Sequence, residues 1–216
     1  MICLSDNDVL LKLGAWDLLE EAITVLETRR EDIFVLRSAR YKIRKDARGE
    51  LAAKYGPDGA RRVLDFIETV REIEQGPDPE EQAAMIAVKG IDEGEEVLFS
   101  ATKGMDAYIV ATGDKNSLRA LAAAPTCTAI YQRLRGRVIC LEQIVTRLIP
   151  HIGFEQARSQ VVPLRGCDKS IQVAFGSGLL AEEANVKRSL SIRINQLRSE
   201  VGLLLISDNE WVLQAE

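Results

Sequence analysis

Two hydrophobic periods alternate along this chain. Short, nearly continuous apolar runs stand at residues 1–4, 33–36, 107–111 and 138–141. Runs of this length, bounded by charged or turn residues, predict strands buried on both faces, as in a parallel sheet. Between them apolar residues recur every three or four positions, which predicts helices. Residues 9–29 carry Leu10, Leu13, Leu18, Ala22, Val25 and Leu26 in that spacing, and Gly14 and Asp17 divide them into two helices. Ser38 can cap a helix over 38–55. Residues 56–59 form a Gly-Pro-Asp-Gly turn, and Val63, Leu64, Ile67 and Val70 predict a helix over 58–75, ended by Gly76 and Pro77. Residues 80–90 read as a short helix or loop, and 115–124 as a helix stopped by Pro125.

From about residue 142 the pattern is helical. Ile144, Val145, Leu148 and Ile149 precede a break at Pro150, and Phe154 starts a new segment. The longest helix spans 179–201, with Leu180, Ala184, Leu190, Ile194, Leu197 and Val201 on one stripe and Gly202 just past its end. Residues 203–206 can dock as a strand or against the core. Strands alternating with helices predict an α/β domain over residues 1–145. Residues 146–216 form a mostly helical C-terminal extension on or beside it. The extension can serve a partner or a dimer, although packing within the chain is the commoner use.

At 216 residues the chain suits one domain of about 150 residues with an extension, or one larger domain. Its composition, 46% apolar and 28% charged, is that of an ordinary globular protein. No run approaches the ~18 apolar residues of a membrane span, and no signal peptide is evident, so a cytoplasmic protein is expected. Cys3, Cys127, Cys140 and Cys167 are far apart and form no C-x-x-C pair, and His151 is the single histidine. Zinc is thereby disfavoured, and buried reduced thiols and a surface or capping histidine are expected. A net charge of −5 argues against bulk polyanion binding. It leaves room for a local basic patch. Arg37, Arg40, Lys42, Arg44, Lys45 and Arg48 cluster around Tyr41, as either a phosphate-and-base surface or a solvated helix face.

The candidate chemistry is acidic. Asp6 follows the first apolar run, and Asp114 follows the third in Thr112-Gly113-Asp114-Lys115. Both would lie at strand carboxyl ends, where open parallel sheets bind ligands. The run Asp92-Glu93-Gly94-Glu95-Glu96 opens a helix between them. If the two strands are neighbours, these carboxylates crowd one rim and demand a proton or a cation. Oxygen-only donors suit Mg2+ or Mn2+. Each acid also has a local alternative. Asp6 can cap the following helix, Asp92 and Glu95 fit a capping box, and Asp114 fits a turn.

In order and spacing, Asp6, Gly94-Glu95 and Thr112-Gly113-Asp114-Lys115 resemble the PIN domain family of metal-dependent nucleases over roughly residues 1–145. The resemblance implies a PIN-like, Rossmann-like three-layer fold with a central parallel sheet. It implies Mg2+ or Mn2+ held by Asp6, Glu95 and Asp114, with Asp8 and Glu96 as further candidates. It implies a ribonuclease whose RNA is gripped by Arg37, Arg40, Lys42, Arg44 and Lys115. Related small proteins act as toxins, which makes an antitoxin or another protein partner, or a homo-oligomer, possible company. One departure stands out: residues 35–42 hold no carboxylate where the family usually carries another acid early in a helix. The site would then hold one metal, recruit Asp65 or Glu68, or be inactive. A degenerate PIN-like module that binds RNA or a protein is therefore the alternative. A nucleotide-binding Rossmann domain is a third reading, but no G-x-G-x-x-G or G-x-x-x-x-G-K-[ST] pattern supports it.

Overall fold

The first apolar run forms β1 (Ile2–Ser5), and α1 (Asn7–Ala15) and α2 (Leu19–Val25) follow it in this computed structural model. Residues 1–46, 49–74 and 76–207 are described; Arg48 of the basic segment lies outside them. The chain continues through β2 (Ile33–Leu36), α3 (Ser38–Asp46), α4 (Glu50–Tyr55), α5 (Pro57–Ile67) and β3 (Arg71–Ile73). Next come α6 (Pro79–Met85), α7 (Glu93–Ser100), β4 (Tyr108–Thr112), α8 (Lys115–Ala123) and α9 (Thr128–Leu134). Then follow β5 (Val138–Cys140), α10 (Leu141–Ile152), α11 (Phe154–Val161), α12 (Lys169–Ala174) and α13 (Glu183–Val201).

The five strands form one parallel sheet in the order β3-β2-β1-β4-β5. Successive residues of each strand face opposite layers, as the period of two requires. Cys3, Ile33, Val35, Ile109, Ala111 and Ile139 join a core with Val9, Leu10 and Leu13 of α1, Val63 of α5 and Ile144 of α10. Leu4, Leu36, Val110, Val138 and Cys140 join the opposite core with Leu98 of α7, Leu118 of α8 and Leu197 of α13. Helices thus cover both faces, which explains why the strands are continuously apolar. The architecture is three-layered α/β.

The chain builds β1, β2 and β3 outward in one direction, then crosses back to place β4 and β5 on the other side of β1. The strand order therefore reverses between β1 and β4, with Ser5 opposite Ala111. Loops leaving these two carboxyl ends part in opposite directions and open a crevice.

Local expectations differ from the structure at several element ends, among them the following two. The helix expected over 58–75 ends at Ile67, and Arg71–Ile73 becomes an edge strand. Only Ile73 of β3 is buried, so pairing with β2, not a hydrophobic pattern, makes it a strand. The expected helix reaches Gln75, which lies outside the described residues. Pro150 does not break its helix; it sits in the last turn of α10, which stops at Gly153. Residues 203–206 dock as expected: among the described residues Leu205 makes a bridge to Val138 at the outer edge of β5, and Leu204, Leu205 and Ile206 are buried.

The expected domain boundary at residue 145 falls inside α10. Beyond it, Ile149, Ala157, Ile171, Phe175, Val186 and Leu190 belong to the same buried cluster as α1. All four cysteines are free and buried. No helix of the described residues is long and apolar enough to cross a membrane.

Candidate functional site

Asp6 is the first residue beyond β1. Its N–H donates to the Ala111 carbonyl at 3.0 Å, which extends the β1–β4 ladder by one rung. Its carboxylate caps α1, accepting from the Asp8 N–H at 3.4 Å, and also accepts from the Gly113 N–H. Asp114 follows β4 and caps α8, where its Oδ1 accepts from the N–H groups of Asn116 at 2.7 Å and Ser117 at 3.1 Å. Neighbouring strands run about 4.8 Å apart, so these two acids leave adjacent strand ends, Asp114 two positions beyond the register partner of Asp6. The start of α7 faces them. There Asp92 Oδ1 accepts from the Gly94 and Glu95 N–H groups, and Glu95 Oε2 accepts from the Asp92 N–H at 2.7 Å. Asp6, Asp8, Asp92, Glu95 and Asp114 line one open cleft of about 500 Å³, together with Lys115 and Arg119.

Capping and crowding therefore coexist. Asp6, Asp92, Glu95 and Asp114 each satisfy a helix N-terminus and line the same cleft. The electrostatic cost falls on the ionisation of the acids. Burial first, then the charge of Asp8, pushes the Asp6 carboxyl up to about 6. Burial first, then contact with the Asp92 carboxyl, pushes Glu95 up to about 8, and Asp114 adds to the rise. Burial opposes ionisation of Asp92 too, but hydrogen bonds from Glu95 and Gly94 prevail and hold it below its ordinary range.

Asp8 meets a cation already in place. Its Oδ2 accepts from the Lys12 ammonium, and its Oδ1 from the Tyr55 hydroxyl at 3.2 Å. Lys12 also donates to Asp168 Oδ2 at 2.7 Å, across 156 positions of sequence. Glu96, by contrast, turns away from the cleft and accepts from Gln82 Nε2 at 3.3 Å. Lys115 lines the cleft, but its ammonium is engaged by Glu142 and by Ser170 Oγ at 2.7 Å.

The basic helix divides. Arg40 pairs with Glu68 at 3.1 Å and approaches Glu72 at 3.9 Å, and Arg44 approaches Glu68 at 3.9 Å. Arg37, Tyr41 and Lys42 are exposed, and Lys42 is near enough to lower the Asp92 carboxyl. Asp65 lines a different surface cleft with Asp17 and Arg62. Neither Asp65 nor Glu68 lines the cleft of Asp6 and Asp114.

Several residues of this region were not singled out from sequence: Lys12, Tyr55, Arg119, Glu142, Asp168 and Ser170. Lys12 alone leaves a legible sign, a lysine inside the apolar run Val9-Leu10-Leu11-Lys12-Leu13. The others depend on long-range contacts. The cleft acids offer only oxygen donors, which fits a hard divalent cation such as Mg2+ or Mn2+. Among the described residues no three acidic, histidine or cysteine side chains are already gathered as a ligand set. Ligation would therefore need carboxylates of the cleft to draw closer together. Comparison with family profiles, with curated proteins and with solved structures gave no match.

Proposed function

We propose that this protein is a PIN-like phosphodiesterase that cleaves RNA with the help of Mg2+ or Mn2+. The observation that carries the reading is the convergence of Asp6 and Asp114 at the ends of adjacent parallel strands, where the strand order reverses, with Glu95 across the same cleft.

Asp6 and Asp114, with Glu95, are the residues that would hold the cation. Such a cation supplies positive charge to the phosphoryl oxygens and acidifies a bound water. The chain's own residues do the remaining work. Adjacent strand ends bring Asp6 and Asp114 to one cleft, and the caps restrict their rotation. Lys42, exposed on α3, and Arg37, exposed just before it, offer positive charge to an RNA backbone, and Tyr41, 70% exposed, offers a face on which a base can stack. Arg40 and Arg44 contribute less, because Glu68 and Glu72 already neutralise them. Hydrolysis joins the water oxygen to phosphorus and breaks one P–O bond, and the leaving oxygen takes up a proton.

A second reading is favoured by a specific observation. Every proposed ligand already has a capping partner, and residues 35–42 supply no further acid. On that reading the protein is a catalytically degenerate module that binds RNA or a protein. One experiment separates the two. A mixed-sequence RNA pool is incubated with the wild type and with Asp114→Asn, in Mn2+ and in EDTA. Cutting that needs Mn2+ and disappears in the variant supports the nuclease. Salt-sensitive RNA binding without cutting supports the module, and neither cutting nor RNA binding removes both RNA readings.

A further inference from the structure

Lys12 lies in a helix whose other residues from Val9 to Ala15 are apolar or glycine, and it is itself only 5% exposed. A lysine persists at such a position only when its charge is matched. Lys12 donates to Asp8, one turn before it, and to Asp168 at 2.7 Å. The ammonium also rests against the turn that carries the proposed site. A methyl group at Gly113 would lie 2.4 Å from Asp8 Oδ2 and 3.4 Å from Lys12 Nζ. The Gly113 N–H serves Asp6, and the next residue is Asp114. A fixed positive charge therefore stands directly behind Asp8 and the Gly113 turn, both of which line the acidic cleft.

This bears on how many cations the cleft accepts, and it rests on the cation-dependent reading above. Two-metal phosphodiesterases place their ions about 3.5–4 Å apart and need carboxylates for both. Asp6 and Asp114 face the cleft from the strand ends. Asp8 is the next acid along the same wall, and Lys12 already holds it. Bringing a second dication against an ammonium in a partly buried site would set like charges together at short range, which is strongly unfavourable.

We propose that Lys12 is the built-in second cation of this cleft: anchored by Asp8 and Asp168, it limits the site to one divalent ion, held on the Asp6–Asp114 side. Lys12 is on this view a positioning residue, and Asp168 is how the C-terminal helices take part in the site. Gly113 belongs to the same arrangement, because only a residue without a side chain leaves room for Asp8 against the turn.

The test is a count. The full-length protein is titrated with Mn2+ while the electron paramagnetic resonance signal of the free ion is followed. One ion per chain is expected for the wild type, and loss of that ion in Asp114→Asn. Two ions per wild-type chain would overturn the inference while leaving the cation-dependent reading intact. No bound ion would overturn both. The double variant Lys12→Met/Asp168→Asn removes one charge of each sign and frees Asp8; after circular dichroism confirms its fold, it is expected to bind a second ion. A folded double variant that still binds a single ion would show that Lys12 does not set the number. The wild-type count stands as a test even if that variant does not fold.

Discussion

At the scale of single residues, Asp6, Asp92, Glu95 and Asp114 each cap a helix and line the cleft. A capping carboxylate is held by backbone N–H groups, so a cation must share it with the cap or draw it away. Burial makes that arrangement pH-sensitive. Glu95 rises from its ordinary 4.5 to about 8. Between those values the unfolded chain has lost the proton that the folded chain keeps, so the folded state binds more protons. Stability should then fall as pH rises from about 5 to 8, with Asp6 adding to the fall as pH climbs to about 6. Asp92, held low, acts in the opposite sense at more acidic pH. Urea melts in EDTA across this range check the slope, and Glu95→Gln should flatten most of it; a slope unchanged in the variant would remove Glu95 as its source. Gly113→Ala is the steric counterpart. Its methyl group would meet Asp8 Oδ2 at 2.4 Å, so Asp8 must leave its place beside Lys12. A loss of about 1–3 kcal/mol is expected from thermal melts, and a melt identical to the wild type would contradict the close approach.

At the scale of elements, α3 has one neutralised side and one open side. Lys42→Ala should weaken RNA binding and reduce the slope of log affinity against log salt by about 0.7–0.9, the share of one phosphate contact. Arg40→Ala should change that slope little, because Glu68 and Glu72 already hold Arg40. Filter-binding titrations at several salt concentrations measure both, and equal losses for the two variants would rule out this division of the helix. The α7 capping box shows what an element's own sequence can specify. Asp92 and Glu95 are three residues apart, and the reciprocal bonds close within one turn.

At the scale of the molecule, the C-terminal helices are tied to the site as well as to the core. Asp168 reaches Lys12, and Ser170 reaches Lys115. Leu190 of α13 is fully buried in the cluster that contains α1 and α10. Leu190→Ala should cost about 2–5 kcal/mol, the usual range for a buried leucine, and lower one calorimetric transition for the whole chain. Two separate transitions, with only the weaker one shifted, would show that residues beyond α10 fold as their own unit.

What the sequence determined by itself is local. Four continuous apolar runs specified four of the strands and their burial on both faces, because a run without alternation has no face to offer water. Asp6, Asp92, Glu95 and Asp114 were legible as caps or turn residues because capping acts within three residues. Strand β3 was not legible, since a short edge strand with one buried residue carries no period of its own. The tertiary structure alone decided that β1 and β4 are neighbours, and so that Asp6 and Asp114 line one cleft. It alone decided that Lys12 meets Asp168, that Arg40 turns to Glu68, and that Glu96 turns away. Such pairings depend on the order of strands and the docking of helices, and these are set by the summed burial of two cores, which no short stretch of the chain encodes.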